Sequence, residues 1–133
     1  MIIGIGSDIV DIRRIEKILR RFGGRFEKRY FTKVEQGLAQ SRIKSGLYYN
    51  TYAKRFAAKE ACVKALGTGF IDNIAMKDIG VEQDDRGLPY IVLSGAALNR
   101  LCALVPDNMQ PAMHLSLSDE PPYAQAFVVI EAH

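Results

Sequence analysis

The spacing of apolar and polar residues along the chain predicts an alternation of strands and helices. Residues 2–10 alternate and are rich in Ile and Val, which is typical of a strand, here interrupted by glycines. From Asp11 onward the apolar residues recur every three or four positions, which predicts an amphipathic helix. Gly23 and Gly24 are expected to end or kink this helix. Its expected buried stripe consists of Ile12, Ile15, Leu19, Phe22 and Phe26.

The rest of the chain contains signals for three more helices and four more strands. Thr32 and Glu35 match a capping box, which predicts a short helix at 33–40. A long helix is predicted at 46–66 with Gly67 as its C-terminal glycine, and another at 94–104. Strands are predicted at 76–83, 89–93, 112–118 and 123–131, with a hairpin at Pro121-Pro122. This order predicts a single α+β domain over residues 1–133, with a mostly antiparallel sheet packed against one long helix and shorter helices.

Charge is divided unevenly between the two halves of the 133-residue chain. Residues 1–67 carry fifteen Lys and Arg against six Asp and Glu, a balance of +9, whereas residues 68–133 carry three against nine, a balance of −6. Such asymmetry predicts an anionic partner for the N-terminal half. A nucleic acid, a phosphorylated ligand and an acidic protein all satisfy this criterion.

The composition is that of an ordinary globular domain, with 48% hydrophobic and 25% charged residues. Cys62 and Cys102 each lie in an apolar, helical context and show no metal-ligand spacing, so we expect reduced core residues of a cytoplasmic protein. The first residues lack the features of a signal peptide, and no apolar run approaches the ~20 residues of a membrane span. We therefore expect no membrane association.

Two carboxylates stand in surroundings where a carboxylate needs a partner. Glu60 lies within an apolar stripe of the long helix, so it must be paired, coordinated or protonated. Either an ion pair with Lys64 or a role as metal ligand or acid–base group would satisfy it. Asp8 shares a strand face with Gly4 and Gly6, a face almost without side chains. Either a bond to the backbone at the start of the next helix or a hard cation such as Mg²⁺ would satisfy Asp8.

Two further groups of polar residues are candidates for ligand binding. Lys59 and Lys64 lie near Glu60 and would suit the phosphates of a ligand that approaches a metal there. A polar face of the strand at 112–118 is either solvated or lines a pocket. It consists of His114, Ser116 and Ser118.

Three motifs in this order carry a resemblance that covers essentially the whole chain. They are GIGSDIV at 4–10, RFAAKEACVKALGTG at 55–69 and HLSLS at 114–118. Together they resemble the holo-acyl-carrier-protein synthase family, the small bacterial type of phosphopantetheinyl transferase. The resemblance implies a phosphopantetheinyl-transferase-like fold.

The resemblance also implies roles for particular residues. Asp8 and Glu60 match the metal-binding carboxylates of the family. Lys64 matches the lysine that meets the diphosphate of coenzyme A, Arg55 matches an arginine near the nucleotide phosphates, and His114 matches a histidine of the coenzyme pocket. The expected catalytic residues are accordingly Asp8, Glu60 and Lys64.

The chain departs from the family pattern after the last serine of Ser-Leu-Ser. Many members have a histidine there, whereas this chain has Asp119, so no phosphate contact is carried over to that position. Arg42 and Lys44 are the candidates for basic residues that other members use between the second and third helices.

The resemblance further implies a Mg²⁺-dependent reaction and its partners. In this family a serine of apo acyl carrier protein attacks the β-phosphate of coenzyme A, gains the 4′-phosphopantetheine arm and releases adenosine 3′,5′-bisphosphate. Fatty-acid biosynthesis is the expected pathway, and the same chemistry on a polyketide or peptide synthesis carrier is the alternative. Either Glu60 or a water on the metal would take the serine proton. A nucleic-acid-binding module would leave Asp8 and Glu60 without a role, so no nucleic-acid partner is expected.

The first predicted helix carries a basic face that suits an acidic protein. At about 100° per residue, Arg14, Lys17 and Arg21 gather away from the buried stripe, and Ile18 borders them. We call these four residues the docking face and expect them to contact acyl carrier protein, which is strongly acidic around its acceptor serine. The resemblance also implies a homotrimer with active sites between neighbouring subunits. The glycine-bare first strand and the apolar run at 127–130 are compatible with it.

Overall fold

The computed structural model describes residues 1–67 and 73–133, so Thr68 and Gly69, at the end of the second motif, lie outside the described residues. One turn of 3₁₀ helix, Met76–Asp78, precedes the second strand. None of the helices in the described ranges is both long and apolar enough to cross a membrane. In chain order the elements are β1 (Ile2–Asp11), α1 (Ile12–Phe22), α2 (Gly24–Tyr30), α3 (Lys33–Ser41), α4 (Tyr48–Leu66), β2 (Ile79–Gln83), β3 (Pro89–Leu93), α5 (Gly95–Leu104), β4 (Pro111–Glu120) and β5 (Tyr123–Ala132).

This architecture confirms the predicted α+β class with antiparallel strands. The strands form two sheets rather than one, a three-stranded sheet in the order β1-β5-β4 and a two-stranded sheet of β2 and β3. All the pairings are antiparallel, and β4 and β5 form the predicted hairpin around Pro121-Pro122. The strand predicted at 76–83 begins only at Ile79, because the three residues before it form the 3₁₀ turn.

Helix α4 forms the centre of the core. It packs against β1 and β5 of the larger sheet and also against α1, α3 and β2. Four alanines of α4 are fully or almost fully buried, which allows neighbouring backbones to come close on several sides. They are Ala57, Ala58, Ala61 and Ala65.

The contact between α4 and β1 depends on two glycines. A Cβ atom on Gly6 would collide with the carbonyl oxygen of Ala61, and one on Gly4 would collide with that of Ala65. The side-chain-free patch predicted for β1 is therefore real, and the group that approaches its backbone closely is α4. Because α4 covers the patch, these glycines do not form a contact between subunits.

The helix ends agree with the predicted signals, but two residues predicted to be buried are exposed. Cys102 is one of them, because it lies on the solvent side of α5. Thr32 and Glu35 form the capping box of α3, and Gly67 ends α4 in the left-handed conformation with φ 75°. Phe22, predicted to be buried, is 47% exposed. The reason is that α1 ends at Phe22 and Gly23, with φ 52°, redirects the chain, so that Phe26 of α2 makes the next core contact.

Replacing Gly6 with alanine should test the close approach of α4. The added Cβ would meet backbone atoms that cannot rotate away, so we expect a loss of about 2 kcal/mol or more in unfolding free energy, measured by urea denaturation. Gly37→Ala is the matched control, because Gly37 lies in α3 and nothing within 4 Å opposes its Cβ. That control should be neutral or slightly stabilising. Equal stability of the two variants would contradict the packing argument.

Candidate active site

Asp8 and Lys64 meet where α4 crosses β1. Asp8 lies on the same face of β1 as Gly6, so the close approach of the helix brings the last turns of α4 to its carboxylate. The Lys64 Nζ donates to Asp8 Oδ1 at 3.1 Å and to the Ser7 carbonyl oxygen at 2.9 Å. The Asp8 side chain is 18% exposed and that of Lys64 is 55% exposed, so this ion pair borders solvent.

Glu60 lies one helical turn before Lys64 and is half-buried beside the same pair. Burial raises the pKa of the Glu60 carboxyl, and the nearby Asp8 carboxylate raises it further. Lys64 and Arg14 act in the opposite direction. Two carboxylates and two cations therefore converge at this end of α4, and a carboxylate held near another favours an added cation or a proton.

Both structural alternatives considered for the two carboxylates are contradicted by the geometry. Lys64 bonds to Asp8 rather than to Glu60. The backbone at the start of α1 is bonded by Asp11, whose side chain accepts from the Arg13 N–H, and not by Asp8. Asp8 is therefore partnered by Lys64, whereas Glu60 has no ion-pair partner among the described residues.

The donor set suits magnesium. Among residues 1–67 and 73–133 no cluster of three or more His, Cys, Asp or Glu could hold a metal. The side-chain oxygen donors that meet at this corner in the described residues are the carboxylates of Asp8 and Glu60. Mg²⁺ usually takes one or two carboxylates from a protein and completes its shell with phosphates and water. A cation also fits at Asp8, because the Lys64 ammonium is already there.

Arg14 connects the docking face to this site. Its guanidinium lies 5.8 Å from the centre of the Phe56 ring, within cation–π range, and Phe56 lies one turn before Glu60 on α4. Arg14, Lys17 and Ile18 also line an open cleft of about 470 Å³ beside the start of α1. The charged members of the docking face, including Arg21, are exposed.

Lys59 does not belong to the site, although it stands next to Glu60 in sequence. It is fully buried, and its Nζ bonds to Glu35 Oε1 at 2.7 Å and to the carbonyl oxygens of Ile79 at 2.6 Å and Met76 at 3.0 Å. Burial lowers the pKa of Lys59 and the Glu35 carboxylate opposes this. The interpretation of Lys59 as a phosphate-binding residue is wrong, since its three donors already have acceptors.

Glu35 completes this buried network. Its carboxylate accepts from the backbone N–H of Thr32 and from that of Val81, each at 2.8 Å. The network therefore ties the start of α3 and the strand β2 to α4. The capping box predicted the bond within α3, but no local pattern indicated that Glu35 also pairs with Lys59.

Arg55 lies on another side of α4, next to α3. It is 1% exposed, and its Nε and Nη2 have no hydrogen-bond partner in the described part of the chain. Burial lowers the pKa of Arg55 to about 10, and the neighbouring Arg42 guanidinium contributes to the shift. Arg42 donates to Thr51 Oγ1 at 3.1 Å. Two adjacent guanidiniums with unused donors are suited to an anion.

His114 lies on the face of the sheet that is turned away from α4. It pairs with Val129 of β5, which pairs with Ile5 of β1, whereas Asp8 lies on the opposite face. The Nε2 of His114 contacts Glu131 Oε1 at 2.7 Å. One chain therefore does not bring His114 together with Asp8.

Asp119 has partners on α4. Its carboxylate is 3.6 Å from Lys54 Nζ and accepts from Asn50 Nδ2 at 3.2 Å. It therefore joins the end of β4 to the first half of the long helix.

Known proteins resemble this chain along its whole length. A family model described as the 4′-phosphopantetheinyl transferase superfamily matches residues 4–118. The holo-[acyl-carrier-protein] synthase of Caulobacter vibrioides is 54% identical over 132 residues, which cover 99% of this chain and 97% of that protein. A crystal structure of the synthase from Neisseria meningitidis is 37% identical with a TM-score of 0.82, covering 98% of this chain and 99% of that one. The synthase from Helicobacter pylori, solved in complex with coenzyme A, is 32% identical with a TM-score of 0.78, covering 96% and 99%.

The matching family model defines the class of the protein, that of the 4′-phosphopantetheinyl transferases. The full-length relatives identify one family within this class. The chain belongs to the holo-acyl-carrier-protein synthase family of this class, as its three motifs predict, and it is an enzyme.

Proposed function

We propose that this enzyme transfers the 4′-phosphopantetheine arm of coenzyme A to a serine of apo acyl carrier protein, with release of adenosine 3′,5′-bisphosphate. The observation that carries the proposal is the convergence of Asp8, Glu60 and Lys64 at the crossing of β1 and α4. Family membership supports the reaction class. A cytoplasmic location and a role in fatty-acid biosynthesis are part of the proposal and rest on the family alone.

Asp8 and Glu60 would hold Mg²⁺ in this proposal. When bound, the ion would neutralise the diphosphate of coenzyme A and so stabilise charge during transfer of the phosphoryl group. The two carboxylates belong to different elements, so the packing of α4 on β1 sets their separation. Rigid placement of this kind is what phosphoryl transfer requires from a protein.

The phosphates of coenzyme A would be bound by cationic side chains around the metal pair. Lys64 is suited to the diphosphate, since it is half-exposed and one turn from Glu60. Arg55 has two buried donors to offer to an anion. His114 would contribute from the other face of a sheet, which in a trimer can be the sheet of a neighbouring subunit.

Transfer should depend on both carboxylates. Incubation with coenzyme A, Mg²⁺ and an apo acyl carrier protein should raise the carrier mass by one arm, as measured by mass spectrometry. Asp8→Asn and Glu60→Gln should each lower the rate at least ~100-fold, since charge stabilisation by a metal is worth several kcal/mol. The double variant should be little worse than either single variant, because both residues hold one ion.

Asp107→Asn is the control for these variants, because Asp107 is exposed outside the helices and strands. It should transfer the arm at the parent rate. Near-normal turnover by folded Glu60→Gln at saturating Mg²⁺ would refute the metal assignment.

The docking face should determine affinity for the carrier. Arg14→Glu or Arg21→Glu should raise the carrier KM at least ~10-fold, roughly 1.4 kcal/mol, because each replaces an attraction to an acidic protein with a repulsion. The effect should shrink as salt increases, and in Arg21→Glu, whose position is about two helical turns from Arg14, coenzyme A binding should change little. Arg86→Glu reverses an exposed charge on the β2–β3 turn and should leave the carrier KM unchanged. Unaltered KM and salt dependence in both docking-face variants would place the contact elsewhere.

The outer face of the three-stranded sheet suits a homotrimer. Ile5 and Ile9 of β1 are 59% and 63% exposed, and Phe127 of β5 is 41% exposed on the same face. Strand β5 is covered on its other face, where Val128 and Ile130 are fully buried. A contiguous exposed apolar face of this kind is typical of an interface. Within one chain, His114 lies on the sheet face opposite to Asp8. Sites formed between subunits would explain how His114 can still contribute.

Light scattering should therefore report three chains per particle. Phe127→Glu should shift the protein towards a monomer, since it buries a charge at the proposed contact. The matched control is Val92→Glu, because Val92 is equally exposed but belongs to the smaller sheet. A fully active monomer of the parent protein at working concentration would contradict the trimer.

A further inference from the structure

Lys64 occupies the carboxylate that the proposed metal requires. We infer that the Lys64 ammonium takes the place of the divalent cation at Asp8 in the free enzyme, and that metal binding displaces it towards the diphosphate of coenzyme A. Lys64 would thus have one partner before the metal binds and another afterwards. This inference rests on the proposed function, because it presupposes that Asp8 and Glu60 hold Mg²⁺.

The geometry shows how the lysine is held at Asp8. Its Nζ has two acceptors on β1, the Asp8 carboxylate at 3.1 Å and the Ser7 carbonyl oxygen at 2.9 Å. Two bonds to one strand fix the end of a side chain that is 55% exposed and would otherwise be mobile. The Lys64 ammonium is therefore hydrogen-bonded to Asp8, the proposed metal ligand, in a defined position.

The charges around Asp8 explain why the Lys64 ammonium binds there and why a bound divalent ion would displace it. Glu60 faces the pair from α4 and Arg14 faces it from α1. Without Lys64, two neighbouring carboxylates would share one partly buried corner, which is unfavourable. Once a divalent ion binds both carboxylates, an ammonium at hydrogen-bond distance from Asp8 would be repelled by it.

The displacement links the two ligands of the enzyme. The lysine that leaves Asp8 is one helical turn from Glu60, so it remains close to any phosphate that the metal binds. Metal binding would therefore release a cation for the diphosphate, and coenzyme A would in turn draw the lysine away from the metal site. Each ligand then strengthens the binding of the other, as linkage requires.

Metal titration of the free enzyme tests this inference without measuring activity. In calorimetric titrations with Mg²⁺ alone, Lys64→Met should bind the ion about 5-fold more tightly than the parent, which is the scale of a partly exposed ion pair. Lys64→Arg keeps the competing charge and should remain close to the parent. Lys77→Met removes an exposed lysine of the 3₁₀ turn and controls for net charge.

A second titration, with coenzyme A, should show the opposite effect of the same substitution, a weaker affinity. With Mg²⁺ saturating, Lys64→Met should bind coenzyme A several-fold more weakly, because the diphosphate loses a cation. Metal affinity that is unchanged or weaker in Lys64→Met, or equally increased in Lys77→Met, would overturn the inference and leave the proposed metal site intact. Failure of both the parent and Lys64→Met to bind Mg²⁺ would instead overturn the metal site itself, and the inference with it.

Discussion

The direct contact between α4 and two glycines of β1 is the constraint on which the candidate site depends. Because Gly4 and Gly6 have no Cβ, the backbone carbonyls of Ala65 and Ala61 lie where side chains would otherwise stand. Asp8 is the next residue along the same strand face. Glu60 and Lys64 are the immediate sequence neighbours of the two alanines. The same approach that closes the core therefore brings two carboxylates and an ammonium together at its edge.

The rotation of α4 about its own axis is fixed by a different interaction. Successive residues of a helix point about 100° apart, so Lys59 and Glu60 cannot both face the same side. Lys59 is held in the core by Glu35 and two backbone carbonyls, with every donor satisfied. Breaking a buried pair of this kind typically costs about 3–5 kcal/mol, so the helix cannot easily turn. Glu60 is thereby kept towards Asp8.

Local patterns in the sequence predicted the elements well, because each signal acts within a few residues. The capping box at Thr32 and the left-handed glycine at position 67 are examples, and both are present in the structure. The failed predictions have different causes. The sequence predicts a phosphate-binding Lys59 because nothing near it in sequence indicates Glu35, which is 24 positions earlier. It predicts a buried Phe22 because the apolar period includes this residue, whereas the turn at the adjacent Gly23 directs Phe26 into the core instead.

The candidate site itself was predicted only in part, for a reason that lies in strand geometry. The motifs indicated Asp8, Glu60 and Lys64, and the structure brings these three together. His114 comes from the third of these motifs, but alternation along β4 places it on the outer face of the sheet. No side-chain rotation carries a residue through a sheet, so His114 and Asp8 face opposite sides of it within one chain. The proposed sites between copies of the chain would reconcile this placement with the roles that the family implies, and the exposed apolar residues that share the outer face with His114 are the proposed contact.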